Sequence, residues 1–375
     1  MTRPAALAVG LGLLLAALTV LAPAPRAQQP PAEAASERLP SGVPGTWLID
    51  RQAREGSWGE GPHRVAETAL VCTVFQSSGN TLTSGPRRAY LGRGLSFLVS
   101  QQASSGRVGS ASLDSLEHVL ATLALVQAWR GLEKDERDLD ALDGVPFSPS
   151  TLRRVCEAAL AALEPLQGPG GELTSELSPH VTAWGVLAWE LGRDAGLDPA
   201  TDARRRLRKA LEWQASSALL GGVPPAPEDG PAPWVSAMAV LLLTDPTGDL
   251  PTSPLGLQAQ TAAGDLPDTT PLPPLDAGAA PSPLLAGAVT PEPLEPILWT
   301  STLLYAQKGE PWHRWEQKLL AGFVPLVSGS GDELHFDSAV GRGWFGGDLD
   351  ATGLAALVLG LVYRYDGPLL DGTLR

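Results

Sequence analysis

Cysteine is nearly missing from this chain of 375 residues: only Cys72 and Cys156 occur. Two isolated cysteines exclude a zinc cluster built on paired cysteines. They fall on helices expected in non-adjacent helix pairs, so no bridge between them is expected, and both read as core fillers. Positive charge is scarce as well. The net charge is −14 with a pI near 4.8, which excludes a nucleic-acid role, because phosphate binding needs a basic face. Lysine is the rarest of the common charges, at Lys134, Lys209, Lys308 and Lys318 among 27 basic residues. With abundant Ala, Gly and Pro, that bias points to a GC-rich genome rather than to a function. No cofactor and no metal site is expected.

Apolar residues make up 43% of the chain, ample for a large core. The first part of that surplus reads as an address. Arg3 precedes an apolar run from Ala5 to Ala22, followed by small residues at Ala22-Pro23-Ala24 and Ala27. This fits a secretory signal peptide over residues 1–27, cut near Ala24 to Ala27, and an exported protein, periplasmic or extracellular. Uncut, the run of about 18 residues would serve as a membrane anchor. No cysteine borders the cut, which argues against a lipid anchor. Residues 28–40 are rich in Pro, Ala and Glu and read as a disordered linker; the folded domain is expected over 41–367, with a tail at 368–375.

The domain is organised by a recurring corner. Its fullest copy is Trp47-Leu48, Gln52, Gly56 and Trp58, read as the end of a helix (Gly45 to Arg54), a Gln, and a tight Gly-x-Trp turn. A second copy is Phe97-Leu98, Gln102 and Gly106, with Val108 in place of the Trp; a third is Ala162-Leu163, Gln167 and Gly171. After each comes an apolar run that marks a buried helix: Arg64 to Gln76, Leu116 to Trp129, and Pro179 to Leu191 with proline in its first turn. The third outer helix is placed from Ser150 as its N-cap. The fourth outer helix, Ala203 to Ser216, carries a basic stripe (Arg204, Arg205, Arg206, Arg208, Lys209) that reads as a solvated face; its partner is Pro233 to Leu243. Residues 245–296 are dense in proline, and an irregular Pro-rich excursion is expected there in place of an outer helix. Glu295 to Lys308 is then buried, and the last unit is Trp312 to Ser328 outside with Asp348 to Tyr365 inside. Self-similarity at roughly 50 to 70 residues marks an array. The fold expected is all-α, an (α/α)6 toroid of inner and outer helices. In the corner, the Gln amide can bond backbone groups at a helix end, and the Trp can clamp two neighbouring units.

The tracts Trp47-Leu48-x-x-x-Gln52-x-x-x-Gly56-x-Trp58 and Arg93-Gly94-x-x-Phe97-Leu98-x-x-x-Gln102-x-x-x-Gly106 resemble the Gln-Trp repeat of squalene-hopene cyclases and related terpenoid cyclases. Glu117 to Leu125, Trp312-His313-Arg314-Trp315 and Thr352 to Leu357, with Tyr363-Arg364-Tyr365, resemble exported bacterial proteins with prenyltransferase/squalene-oxidase repeats. The resemblance spans about Gly45 to Asp366 and implies an α/α toroid with inner helices lining a central cavity. Of the family's catalytic patterns, the cyclase Asp-x-Asp-Asp is approached by Asp348-Leu349-Asp350-Ala351, which would put Asp350 at the acid and Ala351 where the last Asp belongs. The tract also lies in the last repeat rather than near mid-chain. Neither cysteine is placed with the Asp and His of a prenyltransferase zinc site, and the Cys-Gly-Glu-Gln tract of thioester domains is absent.

With inner helices running the same way, their N-termini gather at one mouth, where free N–H groups and dipoles favour polar or anionic ligands. The mouth candidates are His63, Glu67, Glu117, His118, His180, Trp184, Trp234 and Trp299, with Asp348 and Asp350 as candidate acids. His118 stands out as a polar residue on an apolar helix. Capping and core packing are the competing roles for each. Two functions are expected: a noncatalytic toroid binding a partner protein, peptide or apolar ligand, or an enzyme. The enzyme would be either a degenerate cyclase using Asp350 or a carbohydrate hydrolase or lyase with two carboxylates.

Overall fold

The computed structural model describes residues 45–109, 114–132, 134–197, 201–220, 233–245, 248–270, 272, 292–323, 326–328, 335–339 and 341–362. The expected signal segment, the linker, the tail and Tyr363-Arg364-Tyr365 lie outside the described residues. Chain contacts divide the protein into Met1–Ser41 and Gly42–Arg375, and all the described residues lie in the second unit.

That unit is all-α. Its helices are α1 (Gly45–Asp50), α2 (Arg64–Ser77), α3 (Arg88–Ser100), α4 (Ser115–Arg130), α5 (Pro149–Ala161), α6 (Val181–Asp194), α7 (Thr201–Leu220), α8 (Pro233–Leu243), α9 (Pro254–Ala263), α10 (Leu294–Gln307), α11 (Glu310–Lys318) and α12 (Asp348–Val362), with short turns at Lys134–Arg137 and Leu266–Thr269. Two tiny sheets flank the last units. Strands β1 (Glu292–Pro293) and β4 (Gly341–Arg342) pair in parallel, and β2 (Val327–Ser328) pairs antiparallel with β3 (His335–Phe336).

Two kinds of helix alternate, as their residue patterns require. In α4 every residue from Leu116 to Trp129 is buried, so the helix has no polar face to turn to water. The α5 helix buries Leu152, Val155, Cys156, Ala159 and Leu160, the i, i+3, i+4, i+7, i+8 stripe of a helix covered on one side. The apolar helices α2, α4, α6, α8, α10 and α12 each pack on the next, and α12 packs on α2. Helices α3, α5 and α7 each pack across two of them. Cys72 on α2 and Cys156 on α5 are buried and free, and burial pushes both thiols up. Among the described residues no helix is long and apolar enough to cross a membrane.

The corners hold the layers together. The Gln52 side-chain amide donates to Gly56 O and to Tyr90 O of α3, both at 2.9 Å. Gln102 repeats this with Gly106 O (3.1 Å) and Val155 O of α5 (2.9 Å), and Gln167 reaches Ala203 O of α7 at 2.7 Å. Arg93 and Arg206 then donate to the amide oxygens of Gln52 and Gln167. Each Gln therefore stitches its own turn to the following outer helix. Trp58 is buried, donates to Leu48 O at 2.6 Å, and fills the space left by the missing side chain of Gly94 on α3.

Several sequence expectations need correction. The first helix stops at Asp50, because Gln52 and Gly56 belong to the turn rather than to helix. Ser148, not Ser150, caps α5, accepting from Thr151 N with Pro149 in the first turn. Pro179 precedes α6, which begins at Val181. Within the 245–296 excursion a ten-residue helix, α9, forms against α7 and α10. Its proline sits at the first turn, where no intrahelical N–H is needed, and Ser253 caps it through Gly256 N. Residues 273–291 lie outside the described ones. The outer helix expected over Trp312 to Ser328 is α11 followed by a wider turn at Leu319–Phe323, and Ser328 is in β2 rather than in a Gln corner.

Candidate functional site

Polar side chains at or just before the first turns of α6, α8 and α10 bond across from one helix to another. The densest cluster centres on Glu295, in the first turn of α10 and 5% exposed. Its Oε1 accepts from Ser178 Oγ (2.8 Å), from Trp184 Nε1 of α6 (2.9 Å) and, at 3.5 Å, from Trp299 Nε1 one turn along α10. Its Oε2 accepts from Trp344 Nε1 at 2.8 Å. The rings of Trp184 and Trp299 lie 4.6 Å apart, and Trp344 meets Trp184 edge-on at 6.1 Å. His180, just before α6, lies beside Trp299, and its Nδ1 is 2.9 Å from Ser236 Oγ of α8. Ser236 gives its own proton to Pro233 O, so His180 Nδ1 is the donor. Burial lowers the His180 pKa, against the attraction of Glu295. Trp234 is buried at the start of α8.

The loop Gly343–Gly347 joins this cluster to a second one. Trp344 serves Glu295, while Phe345 stacks on His63 at 4.5 Å and 14°. The loop is clasped by Asp350 of α12, which accepts from Phe345 N (2.5 Å), Gly347 N (3.0 Å) and Ala351 N (3.0 Å). Burial raises the Asp350 pKa, and these N–H groups oppose the rise. Asp348 instead accepts from Ser338 N and Oγ, and the Ser338 hydroxyl bond holds its carboxyl below the usual range. Both candidate acids thus fasten the segment leading into α12.

Glu67, in the first turn of α2, is 8% exposed, and its Oε2 has no hydrogen-bond partner among the described residues. It lies under Gly59, where any Cβ would overlap the carboxylate. Burial, then the charges of Asp350 and Glu60, raise its pKa to about 7. The folded value exceeds the unfolded one, so this group's stabilising contribution is complete below about pH 4.5 and is lost as pH rises through about 7. Replacing Glu67 with Gln is therefore expected to raise stability at pH 8 by about 1–2 kcal/mol, and to change little at pH 4.5. Urea unfolding at the two pH values checks this; an equal effect at both would remove the ionisation from the account.

His118 takes the competing role, both of its ring nitrogens being committed to backbone partners. His118 Nδ1 accepts from Val108 N at 3.0 Å, which leaves Nε2–H to donate to Ala159 O of α5 at 3.1 Å. Burial lowers its pKa to about 4. Thr68, Thr182 and Thr352 occupy the same place in other units, accepting from Trp58 N, Leu173 N and Phe336 N. The apolar helix does need a polar group at this position, because each corner presents one inward backbone N–H. Glu117 packs against Gly109 as Glu67 does against Gly59.

Glu295, Ser178, Trp344 and Phe345 were absent from the residues singled out by sequence. Glu295 was detectable as a first-turn acid on an apolar helix, like Glu67 and Glu117. The Trp344-Phe345-Gly346-Gly347 run was detectable as paired aromatics in a glycine-rich loop. Among the described residues no group of three or more His, Cys, Asp or Glu side chains could hold a metal ion. Comparison with family models, curated proteins and solved structures returns no match to this chain.

Proposed function

We propose that the chain is an exported α/α toroid of the terpenoid cyclase and prenyltransferase type. In this reading it binds a partner protein, peptide or apolar ligand at the mouth of its inner helices and catalyses no reaction there. The toroid is supported by the order of helix packing, which runs through the six apolar helices and returns from α12 to α2. Export is supported by the apolar run after Arg3. One observation carries the binding reading: the indoles of Trp184 and Trp299 flank the Glu295 carboxylate, a mostly apolar wall with one fixed polar anchor, which is how binding pockets are composed. Asp348 and Asp350, the acids of the cyclase pattern, are committed to N–H and O–H donors of the fold.

Crystals of protein purified from its own host, and not refolded, are expected to carry density for an organic ligand against these indoles or His63. A mouth holding only water and the chain's own side chains would sink the reading.

An enzyme remains the second reading because of Glu67, a buried carboxyl with a pKa near neutrality and hence suited to general acid–base work. The cyclase version depends on Asp350 instead, whose two oxygens both accept backbone N–H groups.

A further inference from the structure

We infer that Glu295, Trp184 and Trp299 form a binding site for a flat aromatic group bearing one N–H donor, an indole-class ligand, and that the chain's own Trp344 fills this site. The inference rests on the mouth-binding reading above and adds the ligand class and the present occupant.

The donors on Glu295 differ in how they are held. Trp184 and Trp299 sit on long helices, and they and Ser178 are at most 2% exposed. Trp344 is partly exposed and is carried on the loop between β4 and α12. That loop has Gly343 on one side of the aromatic pair and Gly346 (φ +75°) and Gly347 on the other. Among the described residues Glu295 Oε2 takes no hydrogen bond besides the one from Trp344. The loop therefore offers an indole to a carboxylate oxygen reserved for it, edge-on to a second indole, as a bound ligand would be offered.

Withdrawing Trp344 breaks this one hydrogen bond and its ring contacts, while the Asp350 clasp on Phe345 N and Gly347 N keeps the following residues in place. An incoming N–H heteroaromatic replaces each interaction that is lost. An isostere without the N–H leaves Oε2 buried and unpaired, and sites of this kind reject such analogues. The same chemistry has two sources, a free heterocycle or a Trp side chain on a partner peptide.

The test is isothermal titration of wild type and Trp344→Ala with indole, with benzofuran, and with the peptide acetyl-Gly-Trp-Gly-amide. Trp344→Ala is expected to bind indole at least tenfold more tightly than wild type does, and at least tenfold more tightly than it binds benzofuran. Whichever of indole and peptide binds more tightly identifies the source. Equal indole affinity in wild type and a helical Trp344→Ala overturns the inference, as does equal binding of indole and benzofuran by the variant. Should the alanine variant not fold, Trp344→Phe keeps a ring in place and removes only the N–H; a several-fold gain for indole is expected, and no gain overturns the inference. Density at the mouth of host-purified protein is a separate result, so the mouth can stand while this occupant fails.

Discussion

Gly106→Ala is expected to lower the unfolding free energy by roughly 4 kcal/mol, and Gly56→Ala by nearly as much, while Gly61→Ala costs only about 1 kcal/mol. All three glycines have positive φ, at +87°, +99° and +70°, so each alanine carries the left-handed penalty of about 1–2 kcal/mol. What separates them is the space beyond. A Cβ on Gly106 would overlap the backbone carbonyl of Ala158 on α5, and one on Gly56 would overlap that of Arg93 on α3. These obstacles are helix backbone and cannot swing aside, so the outer helix must move. The shift strains the Gln102 bond to Val155 O and the Gln52 bond to Tyr90 O, one turn before each obstacle. Around Gly61 nothing lies within 4 Å. Gly171, where the Cβ would stand 2.8 Å from Arg206 O, should fall between. Urea unfolding of the four variants gives the order directly. If Gly61→Ala proved as damaging as Gly106→Ala, the corner would be limited by backbone angle alone and not by contact with the next unit.

The corner was the most legible feature of the sequence, for the same reason. A Gln, a glycine four residues on, and an aromatic or apolar residue two further describe a local geometry, and local geometry repeats visibly. The buried helices were legible because an element covered on all sides has to be apolar on all sides. What escaped was non-local. His118 looked like a functional residue because nothing in its own helix explains it; the explanation is Val108 N, ten residues upstream, and Ala159 O on another helix. Thr68 and Thr182 do the same work without a sequence signal, since threonine is ordinary on an apolar helix. Glu295 escaped because its meaning lies in the indoles of α6 and of the loop before α12, which no spacing rule connects to it. Prolines misled in the excursion: counted by density they argue against helix, but Pro254 beside Ser253 is a helix start. Asp350 matches a motif in the sequence, and in the structure it clasps the loop that carries Trp344.

Glu295→Ala should therefore be among the most destabilising single changes to a charged residue in this chain, at about 4 kcal/mol, with Glu295→Gln near 1–2 kcal/mol. A carboxylate gathered by neutral donors is held by charge-assisted bonds, each stronger than its neutral counterpart. Removing it strands the Trp184 N–H and the Ser178 hydroxyl, both 1% exposed, and each stranded buried donor costs about 1–3 kcal/mol. Trp299, at 3.5 Å, is a weaker contributor, and Trp344 can turn toward water from its partly exposed loop. The glutamine keeps an acceptor for Trp184 and Ser178 and turns its amide N–H toward Trp344, so the loss concentrates on the loop. The two variants should then differ in kind as well as in size. Glu295→Ala should shift the whole unfolding transition, whereas Glu295→Gln should leave the α6–α10 contact intact and speed hydrogen exchange in residues 343–347. Equal destabilisation by both, or protection of that loop unchanged in Glu295→Gln, would mean that the carboxylate does not hold Trp344 in place.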